Sequence, residues 1–156
     1  MLAREIMNKE VITVQEDSSI EEVARILTEN NISGAPVVNK NGKIVGMVTE
    51  GDLLHQETKP RVPAFLSILG SFIYISGVER YREDFKKLAA TITSEIMTTD
   101  LITVSGDAEI EDVADLMVEH NIKRVPVVEK DTVIGIISRA DIIKTLAKRS
   151  APSDSR

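Results

Sequence analysis

Residues 46–52 read GMVTEGD, and residues 135–141 read GIISRAD. Each is a glycine, two apolar residues, a hydroxyl, and an aspartate three places after the hydroxyl. One occurrence would carry no weight; a second makes a repeat, and a long-period repeat decides the architecture before any single element does. Working outward, Pro36-Val37-Val38 recurs as Pro126-Val127-Val128, Ile12-Thr13-Val14 as Ile102-Thr103-Val104, and Glu5-Ile6-Met7 as Glu95-Ile96-Met97, each 90 positions on. Gly46 and Gly135 are 89 apart, so one residue is missing from the second copy. The gap falls where the first repeat has NKNGK and the second EKDT, turn-forming residues that accept a change of length without harming a strand.

Both repeats present the same order of elements. Residues 11–14 and 101–104 are expected to be extended. A helix follows, with Ile20, Val23, Ala24 and Leu27 in one copy and Ile110, Val113, Ala114 and Met117 in the other at i, i+3, i+4, i+7. Ser18 and Glu21 have the spacing of a capping box for the first of these helices, and Asp107 stands near the start of the second. Residues 35–38 and 44–48 read as two β-rich strands joined by a turn containing Asn41-Gly42. A short helix is expected after Asp52 and another after Asp141. Strand, helix, strand, strand, helix, twice over, is an α/β fold of two small modules. A module of roughly 50 residues buries too small a share of its surface to be stable alone, so the two are expected to pack on each other.

Composition narrows the function. With 42% hydrophobic and 28% charged residues of both signs, the chain of 156 residues is expected to be a soluble globular protein. The absence of cysteine excludes disulfides, thiolate catalysis and cysteine-based zinc sites. No basic stretch followed by an apolar one opens the chain, so the cytoplasm is the expected location. A net charge of -6 argues against nucleic acid, whose phosphates are held by clustered Lys and Arg, but leaves room for a small anion. His55 and His120 lie in unrelated contexts with no ligand spacing, and read as surface histidines. With no nucleophile or acid-base constellation, neither catalysis nor a cofactor or metal is expected.

The repeated GhhTxxD pattern admits two readings. Glycine lets another group approach the backbone closely, and the first turn of the next helix presents unpaired amides. A carboxylate able to accept from two neighbouring hydroxyls beside such a turn describes a site for ribose and phosphate. Alternatively, Thr49 and Ser138 stand where N-caps belong, and aspartate in a first turn favours the helix dipole. Pro36 and Pro126 likewise suit the start of a strand, where no amide donor is needed, or a pocket wall.

The tandem order of ITV, ISGAPVV or IKRVPVV, and GMVTEGD or GIISRAD resembles a pair of CBS domains over residues 1–56 and 93–148. The resemblance implies two modules packed about a pseudo-twofold axis, dimerisation into a disc, and clefts that bind adenosyl compounds such as AMP, ADP, ATP or S-adenosylmethionine. It further implies an energy or metabolite sensor whose output passes to a regulated partner protein; the alternative is a ligand-free dimerisation or assembly scaffold. Carried over by position, one cleft takes Ser138 and Asp141 for phosphate and ribose, with Thr13 and the backbone of Ser33 and Gly34 near the base. The other takes Thr49, Asp52, Thr103 and the backbone of Ile122 and Lys123. In the family a basic residue two before the central proline contacts phosphate; here it is Arg124, with Lys123 and Arg139 close by in sequence, whereas the first repeat has Gly34. The Asp141 cleft is therefore expected to prefer a phosphorylated ligand.

Residues 57–92 fall outside the repeat and are expected to form a helical, aromatic insert. The apolar run 63–75 is broken by Ser67, Gly70 and Ser71 and falls short of the roughly 20 residues needed to span a bilayer. All the aromatic residues of the chain, Phe65, Phe72, Tyr74, Tyr81 and Phe85, lie in this insert, which suggests a contact surface within the chain or across a dimer. Charges alternate in sign over 79–88, as on a half-exposed helix. Residues 149–156 are expected to form a mobile tail.

Overall fold

The two APVV-like segments become the buried strands on which everything else is laid. In a computed structural model describing residues 1–57 and 92–150, the elements in chain order are α1 (Ala3–Ile6), β1 (Val14–Gln15), α2 (Ile20–Glu29), β2 (Gly34–Val38), β3 (Ile44–Thr49) and α3 (Glu50–Glu57). A 3-10 turn (Thr93–Glu95), α4 (Ile110–Glu119), β4 (Arg124–Glu129), β5 (Thr132–Ser138) and α5 (Arg139–Ser150) follow. The aromatic residues of the insert, its 79–88 charge pattern and residues 151–156 lie outside the described residues. Arg149 and Ser150, assigned to a tail, belong to α5, and Arg149 is held 3.1 Å from Glu111.

The compact units are not the sequence repeats. Unit I comprises residues 1–13, 38–45 and 100–156, and unit II residues 14–37 and 46–99, so each takes its opening segment from the other repeat. In unit I, Ala3 of α1 is fully buried in a cluster with Val104, Val113, Val125, Val127 and Ile137. Asn8 and Ile136 exchange backbone hydrogen bonds of 2.9 and 3.0 Å, which ties the segment after α1 to β5. In unit II the equivalent tie is between Met47 and Thr98, at 2.9 and 2.8 Å, and the buried Thr93 donates its amide and hydroxyl to the Ser18 carbonyl.

The amphipathic spacing of both long helices turns into burial. Val23 and Leu27 of α2 are buried, as are Ile110, Val113 and Met117 of α4. Both helices stop in the same way: Asn31 and Asn121 take a left-handed φ of 51°, and the Ile32 and Ile122 amides reach back to the Leu27 and Met117 carbonyls at 3.0 Å, a Schellman ending with asparagine where glycine is commonest. The starts differ from expectation. Ser19, not Ser18, caps α2, accepting from the Glu22 amide at 3.2 Å, because the Ser18 carbonyl is engaged by Thr93. Asp107 does not cap α4; Arg4 draws it into an ion pair at 2.7 Å.

The predicted strands 11–14 and 101–104 shrink to β1 and to a bridge between Val104 and Val127, since only the buried valine of each segment meets its neighbouring strand. Strands β1, β2 and β3 lie side by side in that order, and β4 pairs antiparallel with β5, with Arg124 opposite Ser138. The missing residue changes the turn. Residues 39–43 form a loop in which Asn39 Oδ1 accepts from the Asn41 and Lys43 amides at 3.0 Å each, and Gly42 supplies a φ of 75°. Between β4 and β5 only Lys130 and Asp131 remain, both with positive φ (48° and 63°), as a two-residue type I′ turn requires.

Candidate functional site

The two GhhTxxD motifs lie where a strand passes directly into a helix: β3 into α3, and β5 into α5. Each aspartate is the third residue of its helix rather than preceding it, and folds back on the hydroxyl residue that ends the strand. In unit I, Asp141 Oδ2 accepts from the Ser138 amide at 2.8 Å and from Ser138 Oγ at 2.6 Å, while the Asp141 amide donates to Ser138 Oγ at 3.3 Å. This is a reciprocal capping box with aspartate in place of glutamate. In unit II, Asp52 Oδ2 accepts from the Thr49 amide at 2.8 Å and Thr49 Oγ1 at 3.2 Å. The capping reading is thus what the bonds display. Only one carboxylate oxygen is used: among the described residues, Oδ1 of Asp52 and of Asp141 accepts no hydrogen bond.

The glycine that opens each motif does serve close approach, but to methionine. A Cβ on Gly135 would lie 2.6 Å from Met7 Cγ, and one on Gly46 would lie 2.6 Å from Met97 Sδ. Met7 and Met97 are the methionines of the repeated EIM triplet, so the two repeated motifs are parts of one packing arrangement.

Unit I holds Arg124 and Arg139 with Asp141, and with them Ile122 and Lys123, which the resemblance assigns to the Asp52 cleft; Ser33 and Gly34, assigned to the Asp141 cleft, lie in unit II. Arg124 is half-buried opposite Ser138 in the β4–β5 ladder. The Lys123 carbonyl accepts from the Arg139 amide at 3.1 Å, the same bond that the Ser33 carbonyl takes from the Glu50 amide in unit II at 2.9 Å. The Arg139 guanidinium is bound to the Ile122 carbonyl at 2.9 Å and to Asn121 Oδ1 at 3.3 Å, so it braces the end of α4. Thr13 and Thr103 are exposed and belong to unit I. In unit II, Ser33 and the buried Gly34 open β2 near Thr49 and Asp52. His120 is exposed at the end of α4, and His55 is partly exposed in α3.

Lys144, Thr145 and Lys148 escaped notice in the sequence. With Asp141 they line an open cavity of about 510 Å³ in unit I, bordered on the other side by Met1, Glu5 and Ile6. The signal was the spacing i, i+3, i+4, i+7 from Asp141, which places all four on one face of α5. Among the described residues, no cluster of His, Asp and Glu is arranged to hold a metal ion, and no helix is long and apolar enough to cross a membrane.

A sequence profile of the CBS domain matches residues 3–58 and 93–148. The chain belongs to the CBS-domain family. Protein MJ1426 of Methanocaldococcus jannaschii is 36% identical over 154 residues, covering 94% of this chain and 91% of that one. Protein MJ1404 of the same organism is 37% identical over 142 residues, but this chain spans only 31% of its length. Among solved structures, the CBS domain pair of protein MJ0100, in complex with 5′-methylthioadenosine and S-adenosyl-L-methionine, aligns with a TM-score of 0.69 and 29% identity over 96% of this chain and 98% of that one. The mixed α/β architecture with two CBS domains is therefore that of known CBS pairs.

Proposed function

We propose that this protein is a regulatory module that binds an adenosyl ligand, with Asp141 accepting from the hydroxyls of its ribose. The observation that carries this is the one-sided use of the carboxylate. Oδ2 is committed to Ser138, which locks the side chain in place, and Oδ1 accepts no bond among the described residues. A vicinal diol is the partner such an acceptor suits, and the complex of MJ0100 with two adenosyl compounds supports the class of ligand. Arg124, opposite Ser138, is the residue assigned to a phosphate or other acidic end, and Asp52 has no such cation at the position of Gly34. In this reading the ligand changes the relative stability of two conformations, and a partner protein responds to the one it binds better.

The same bonds also favour a second reading, in which the aspartates cap their helices and the protein is an assembly scaffold. Calorimetric titration of adenosine, AMP, ATP, S-adenosylmethionine and 5′-methylthioadenosine separates the two. Asp141→Ala removes both cap and acceptor, whereas Ser138→Ala breaks the cap and keeps the carboxylate. Both variants are expected to lose about 1 kcal/mol of stability, but Asp141→Ala alone is expected to weaken the ligand at least about tenfold. Equal loss of affinity in both variants, or no heat from any of these compounds, refutes the sensory reading.

A further inference from the structure

We infer that Lys144 and Lys148 form a phosphate site on α5, giving this module a preference for polyphosphorylated nucleotides over uncharged nucleosides. The inference deepens the adenosyl reading, since it takes Asp141 for the sugar and the same helix face for the phosphates.

The cavity of about 510 Å³ in unit I is lined by Asp141, Lys144, Thr145 and Lys148 from one face of α5 and by Glu5 and Ile6 opposite. Both lysines are exposed, and among the described residues neither makes a hydrogen bond or an ion pair. They stand four residues apart, where like charges repel along a helix and destabilise it by a few tenths of a kcal/mol. Lys148 is in the last turn, where the helix dipole favours a cation, but Lys144 lies well inside α5 and has no such reason for its charge. An anion held by both would relieve the repulsion.

The neighbouring acids Glu5 and Asp141 keep their charge but form no ion pair with either lysine among the described residues. The Glu5 carboxylate is turned to the Leu2 amide at 2.6 Å, and Asp141 Oδ2 to Ser138. Arg149, next along, is occupied by Glu111, whose carboxyl is held below the usual carboxylate range by its backbone hydrogen bond and then by Arg149. Thr145, almost wholly buried, spends its hydroxyl on the Asp141 carbonyl at 2.9 Å, so it shapes the floor and leaves Lys144 and Lys148 as cations without an acid partner, in a lining that Met1, with the chain's α-ammonium, also borders. In a chain of net charge -6, a basic cavity that shares its wall with the one aspartate assigned to a sugar is selective placement.

The test is calorimetry on the full chain with adenosine, ATP and tripolyphosphate as probes. In the wild type, ATP is expected to bind more tightly than adenosine, and tripolyphosphate to bind measurably. Lys144→Gln with Lys148→Gln is expected to weaken ATP at least about tenfold while adenosine changes by less than about twofold, and Lys144→Arg with Lys148→Arg to keep ATP. Equal wild-type affinity for ATP and adenosine, unchanged ATP binding in the glutamine variant, or equal loss of adenosine overturns the phosphate site. If instead Asp141→Ala leaves adenosine untouched while the glutamine variant still loses ATP and tripolyphosphate, the sugar assignment fails and the phosphate site stands.

Discussion

Gly135 and Gly46 tie the two repeated motifs together through a single contact each, and neither needs glycine for its backbone, since the left-handed glycine among the described residues is Gly42. What excludes a side chain at Gly135 is Met7, and at Gly46 it is Met97 together with the Thr98 carbonyl, 2.9 Å from where a Cβ would lie. Gly135→Ala is therefore expected to cost about 1–3 kcal/mol in chemical denaturation through overpacking alone. A steric cause makes a further demand: shortening the methionine must relieve it. In a cycle of Gly135→Ala and Met7→Ala, the double variant is expected to be more stable than the sum of the single losses predicts, by at least about 0.5 kcal/mol. Strict additivity would mean that the glycine serves something other than this contact. The glycine and the EIM triplet were each legible as repeated motifs, but no local rule says that a methionine near the start of the chain packs on a glycine near its end. The capping role of the aspartates was legible, because Thr49 and Ser138 stand where N-caps belong and an aspartate in the first turn suits the helix dipole.

At the scale of elements, periodicity did most of the work. The stripes Ile20, Val23, Ala24, Leu27 and Ile110, Val113, Ala114, Met117 placed both long helices and their buried faces, because burial of one face is what the spacing records. Ends were less legible. Ser18 and Ser19 are adjacent and both suit a cap, and the choice between them depends on Thr93, which lies in the other repeat. The tight β4–β5 turn was foreshadowed only as a shortened loop, since Lys-Asp is not a strong turn signal, yet both residues sit at positive φ. Their tertiary bonds come from the backbone: the Lys130 carbonyl accepts from Lys43 Nζ at 2.6 Å and the Asp131 carbonyl from the Ile44 amide at 2.9 Å. Replacing Lys130-Asp131 by Asn-Gly, the pair that suits a type I′ turn, keeps those bonds and removes the strain. It is expected to add about 0.5–1 kcal/mol, read as a rise of roughly 1–4 °C in melting temperature. An unchanged or lower midpoint would show that the turn carries no strain to relieve.

Over the whole molecule, the exchange of opening segments is the feature no motif announced, because a repeat in sequence names its members without saying which copy they pack against. Its consequence is that unit I is incomplete without residues 1–13. That segment is joined to the rest by buried Ala3, by Met7 against Gly135, by the paired Asn8 and Ile136 backbones, and by backbone bonds from the Ala3 and Arg4 amides to the Ala108 and Gly106 carbonyls and from the Ile110 amide to the Met1 carbonyl. The ion pairs of Arg4 with Asp107 and Glu129, at 2.7 and 3.3 Å, involve side chains about half exposed or more and add little in water. Burial should then dominate the attachment. A chain lacking residues 1–13 is expected to lose amide-exchange protection at Ile110 and Ile136, whose amides donate to Met1 and Asn8 carbonyls, and more widely through β4 and α4, whose core Ala3 completes. A synthetic peptide of residues 1–13 added in trans is expected to restore that protection, and the same peptide with Met7→Glu is not, because a carboxylate cannot be seated against Gly135 without desolvation. Undiminished protection in the truncated chain, or rescue by the glutamate peptide as good as by the native one, would mean that each repeat holds its own core and that the crossed segments are ornament to it.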